Sequence, residues 1–100
     1  MSRDLGPPTK LPPPSQGEPI ATIGHQGRFW DVFLELDDDP RRIDVHRGLL
    51  CFTPSDLNEG ERPARTGVIL VEPTYEDLVR KAKSFEDHQL VGLLRSALPD

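Results

Sequence analysis

The chain has a single cysteine, Cys51, which excludes an intramolecular disulfide framework and fits a reducing compartment. The opening residues Met1–Gly6 lack the apolar core of a signal peptide, and Asp4 argues against a transit peptide. No apolar run approaches the roughly 20 residues of a membrane span. A cationic excess is missing too. The net charge is −5, with arginine and lysine interleaved among acids, so neither nucleic-acid phosphates nor anionic lipid is expected as a main partner. There is no phosphate loop, nucleophile elbow, dinucleotide fingerprint or internal repeat, and no cofactor is implied. Together these absences describe a cytoplasmic protein of one small domain, in which nothing identifies a reaction.

Proline is what the chain does have, concentrated at one end. Residues 1–19 hold Pro7, Pro8, Pro12, Pro13, Pro14 and Pro19, with only Met1, Leu5 and Leu11 as sizeable apolar side chains. Such a segment buries too little surface to offset its ordering entropy, so a disordered, partly polyproline II tail is expected over 1–19 and a single domain over 20–100. No two prolines are spaced as Pro-x-x-Pro, which weakens a proline-recognition reading.

Within the domain, Ile20–Gly24 reads as a short strand ended by Gly24-His25-Gln26-Gly27. Over Arg28–Leu36, Trp30, Val32, Leu34 and Leu36 alternate on one face against Phe29, Asp31, Phe33 and Glu35 on the other. Asp37–Pro40 supplies turn residues, and Ile43–Thr53 reads as the second arm of a hairpin. Its apolar side chains switch face at Gly48, which a β-bulge there would reconcile. Pro54–Thr66 is polar and reads as an exposed, mobile loop.

The unbroken apolar run Gly67–Val71 then reads as a strand that is apolar on both faces. Thr74 is a plausible N-cap, and Tyr75, Leu78, Val79 and Ala82 fall on one helical face. Cations crowd residues 80–83, and Ser84 with Asp87 resembles a capping box, so two helices, 74–83 and 85–98, are expected rather than one. The fold class is α+β: a mainly antiparallel sheet of three or four strands followed by two C-terminal helices.

No constellation carries obvious chemistry. Asp37, Asp38 and Asp39 lack the alternate spacing, glycine and distal glutamate of a calcium loop, so no metal site is expected there. His25, His46, His88 and Cys51 are too scattered for structural zinc. Under an alternative reading, a small enzyme or ligand-binding protein with a pocket between sheet and helices, Asp44, His46 and Cys51 are the first residues to test. His46 and Cys51 share a face only if Gly48 is a bulge. A third reading, weak nucleic-acid binding, rests on Arg41, Arg42, Arg47, Arg62 and Arg65 with Phe29, Trp30 and Phe33 as stacking rings.

The leading expectation is association. Phe29 and Phe33 oppose Trp30, Val32 and Leu34, and Ile69 and Val71 oppose Val68 and Leu70. A helix pair roofs only one side of a sheet, and at about 25 cal/mol per Å² several exposed apolar side chains forgo energy comparable to a small domain's stability. Phe29, Phe33, Ile69 and Val71 are therefore expected to form a surface covered by a protein partner or a second copy of the chain, in a non-enzymatic binding or regulatory domain.

Overall fold

The computed structural model describes residues 17–98. The Pro-rich segment expected over 1–19 lies outside them, apart from its last three residues.

Three long strands form the sheet's body: β1 (Glu18–His25), β2 (Arg28–Leu36) and β3 (His46–Pro54), paired antiparallel in that order. β1 and β2 are joined through Gln26 and Gly27, both at positive φ (53° and 78°), the geometry of a primed two-residue turn that matches strand twist. The alternation read in Arg28–Leu36 is seen directly. Trp30, Val32 and Leu34 are buried, while Phe29, Asp31, Phe33 and Glu35 lie on the other side.

β3 departs from expectation in two ways. It begins at His46, leaving Ile43 in a turn and almost fully exposed. It also runs in unbroken register against β2 from Gly48 to Pro54, so Gly48 is not a bulge. Gly48 sits where the neighbouring strand and the first helix leave little room for a side chain. A Cβ on it would lie 2.9 Å from Leu34 Cδ1 and 3.2 Å from Leu78 Cδ2.

The apolar run 67–71 is the larger correction. The fourth position in the sheet is an interrupted strand, β4 (Ala64–Arg65) and β5 (Leu70–Glu72), both antiparallel to β3. Between the pairs Cys51–Arg65 and Gly48–Leu70, four residues face two on β3. The Thr66 hydroxyl accepts the Leu50 N–H at 3.0 Å, and Ile69 N–H reaches Gly48 O at 3.0 Å, so the insertion strands neither group. Only Leu70 of this run is fully buried.

Two helices follow, α1 (Tyr75–Lys83) and α2 (Asp87–Ala97). Thr74 caps α1, its hydroxyl accepting the Asp77 N–H at 3.0 Å. The second cap sits at Glu86 rather than Ser84, with the Gln89 side chain accepting the Glu86 N–H at 2.8 Å. Ser84 instead closes α1, donating its hydroxyl to Lys81 O at 2.6 Å. Both helices pack on one face of the sheet. Leu78, Ala82, Leu90 and Leu94 join Ile23, Trp30, Val32, Leu34, Leu50, Phe52, Ala64 and Leu70 in a single core. Each such large aliphatic, fully buried, contributes about 1.5–3 kcal/mol.

Candidate functional site

With both helices on one side, the opposite face of the sheet is the surface to examine. Phe29, Asp31, Phe33 and Glu35 of β2 lie there, beside Thr22 of β1 and Arg47, Leu49, Cys51 and Thr53 of β3. Phe29 is 67% exposed, Val71 53% and Ile69 39%, while Phe33 and Leu49 are half-buried. Phe29 also has a local duty. Its ring lies about 4.0 Å from where a Gly24 Cβ would stand, covering the gap that glycine leaves on the neighbouring strand. A shallow hollow of about 280 Å³ opens beside Phe33, bounded by Pro19–Thr22 and Asp31.

Polar groups order the rest of this face. Asp31 accepts the Thr22 hydroxyl at 2.9 Å and the Ser55 hydroxyl at 3.3 Å. Arg65 on β4 reaches across β3 to Glu35 on β2, with Nε and Nη2 donating to the two carboxylate oxygens at 2.9 and 3.2 Å. Beneath this strap lies Cys51, flanked by Phe33 and Arg65 and only 2% exposed. Burial pushes its thiol pKa up, away from the reactive thiolate. The strap divides the four apolar residues singled out from the sequence. Phe29 and Phe33 sit together on one strand, whereas Val71 of β5 and Ile69 of the insertion just before it lie along the far side of β3.

Both edges of the sheet are protected in part against further pairing. The two-residue turn makes His25–Arg28 the closing bonded pair, so Ile23 and Ala21 aim backbone groups at β2, and Gly24 and Thr22 aim theirs outward. Past the register shift between Pro19 and Ala21, the outward position falls on Pro19, which has no N–H. The other edge is two short pieces separated by an insertion. Short strands, proline and bulges are how natural sheets prevent edge-to-edge pairing.

The residues of the enzyme reading do not converge. With no bulge at Gly48, His46 and Cys51 point to opposite faces. His46 Nδ1 lies 3.2 Å from Asp38 Oδ2, and Asp44 is exposed in a turn beside Arg42. Asp38 also accepts the Arg47 N–H at 2.9 Å, the main reason its carboxyl lies below the usual range. No group of three metal-ligating side chains occurs among the described residues, and no helix there is long and apolar enough to cross a membrane.

Sequence reading missed a clamp under the 55–63 loop. Arg28 donates to Asp56 at 2.8 Å and to both oxygens of Glu61 at 2.6 and 2.9 Å, and it lies 5.4 Å from the centre of the Trp30 ring. Glu61 also accepts the Asn58 N–H at 2.9 Å, and its carboxyl pKa is lowered to about 2, chiefly by Arg28. The only hint in the sequence was an arginine opening a strand and two acids in a polar loop. The Trp30 indole N–H is buried and finds no partner among the described residues.

Compared with known proteins, the chain matches no family model, no curated protein and no solved structure.

Proposed function

We propose that this chain is a non-enzymatic protein-binding module that docks through the helix-free face of its sheet. The observation that carries the reading is the contrast between that face and the edges: Phe29, Val71 and Ile69 are left open while both edges are blunted. The ion pairs and hydroxyl chains on the face suit it to reversible docking, because a surface combining exposed apolar groups with satisfied polar ones is stable in water when unoccupied.

The test is a pair of substitutions, Phe33→Asp and Val71→Asp, one on each side of the Arg65 strap. Nuclear magnetic resonance spectra recorded from micromolar to millimolar concentration will show shifts confined to β2, β3 and β5 if the occupant is a second copy. If it is a different protein, one recovered from the source cell on wild-type chain will be lost with both variants. Retention of that partner by both variants, with no concentration-dependent shifts, would rule the face out.

A further inference from the structure

A second surface lies away from the sheet face, where the start of β1 meets α1. A groove of about 720 Å³, larger than the hollow beside Phe33, is bounded by Glu18, Tyr75, Glu76, Val79, Arg80 and Lys83. The Tyr75 ring and Val79 supply its apolar floor, and Val79 packs down onto the core.

The charges of the groove are already divided into used and unused. Arg80 is paired with Asp77, and the Tyr75 hydroxyl donates to Glu18 at 3.4 Å. Glu76 and Lys83 are exposed and make no ion pair with any described residue. They stand seven residues apart on one helix, with Val79 on the same side between them. At 1.5 Å per residue, that is about 10 Å of separation along the groove. A carboxylate near the start of a helix and an ammonium near its end also suit the helix dipole. The dipole accounts for the signs, but not for the open apolar floor between them.

We propose that this groove is a peptide-docking site for an extended segment of a partner protein, carrying a basic residue at one end, an acidic residue at the other and an apolar side chain between. The charge arrangement selects that occupant. The ligand's cation sits at Glu76, its anion at Lys83 and its apolar side chain against Tyr75 and Val79. An extended chain rises about 3.3 Å per residue, so the opposite charges fall about three residues apart. The site is independent of the sheet-face reading and would give the module two separate points of attachment.

The test uses the full chain, immobilised, and a phage-displayed library of random dodecapeptides. Enriched sequences are expected to carry a basic and an acidic residue three positions apart with an apolar residue between them. The double variant Glu76→Lys, Lys83→Glu alters two exposed side chains and leaves the core intact. It is expected to lose retention of those phage by about tenfold, since rim charges become repulsive, and to select the pattern with its charges reversed. No enrichment, enrichment without the spaced charges, or unchanged retention on the swapped variant would each overturn the proposal. So would displacement of the phage by a synthetic peptide of residues 1–16, which would make the groove a seat for the chain's own N-terminal segment.

Discussion

On the helical face, Val32, Leu34, Leu50 and Phe52 are sealed by Leu78, Ala82, Leu90 and Leu94, whereas on the opposite face the same strands carry a Thr22–Asp31–Ser55 chain, an Arg65–Glu35 strap and several open apolar side chains. The first face is held by area removed from water, which is large per residue, does not titrate and is not screened by ionic strength. The second is held by exposed polar pairs, each worth at most about 1 kcal/mol and weakened by screening. Stability therefore resides in one side of the sheet, and the other is free to vary its contacts.

The contrast is broken most sharply at Leu78, which is fully buried and meets Gly48. Leu78→Ala should cost about 2–5 kcal/mol in urea denaturation. Val71→Ala, on the open face, should stay within about 0.5 kcal/mol, because most of its surface already meets water. Equal losses at the two positions would mean that the open face is in fact covered. Next in size comes Gly48→Ala, whose new methyl meets two leucine side chains and should destabilise by about 1–3 kcal/mol. A neutral result would show that the Leu78 side chain can move aside.

Arg65→Ala probes the strap itself. Global stability should fall by no more than about 1 kcal/mol, while the rate at which Cys51 reacts with a thiol reagent should rise, because the guanidinium roof is gone. An unchanged rate would mean that Phe33 alone shields the sulfur. The Arg28 clamp gives a pH signature. The Glu61 carboxyl pKa is depressed, so its stabilisation of the loop is present above about 4.5 and is lost as pH falls through about 2. Protection factors across residues 55–63, corrected for the intrinsic pH dependence of amide exchange, should thus fall on acidification in wild type and change less in Glu61→Gln. A small effect of opposite sign is expected at Gln26→Gly, which relieves a left-handed side chain and should stabilise by about 0.5–1 kcal/mol.

The hairpin was readable because its residues obey a period of two with one face buried, and the helix pair because Thr74 and the cations of residues 80–83 mark a start and a stop. The run Gly67–Val71 was misread for a physical reason: a contiguous apolar stretch has no period, so it cannot report where the ladder is broken. What breaks it is the Thr66 hydroxyl standing in for a backbone carbonyl, a substitution with no hydrophobic signature. Gly48 was read as a candidate bulge when its meaning is proximity, and only the positions of Leu34 and Leu78 tell the two apart. The Arg28 clamp and the Arg65 strap join residues about 30 positions apart, a pairing that neither spacing nor composition encodes.

Pro19 at one margin of the sheet and the insertion after Arg65 at the other set a limit on growth. Where a rim lacks an N–H or is broken by inserted residues, an added strand finds no continuous ladder, which hinders lengthening into a fibre. Under the proposed docking, two copies stacked through the helix-free face consume that face on both, so such an assembly closes at a pair.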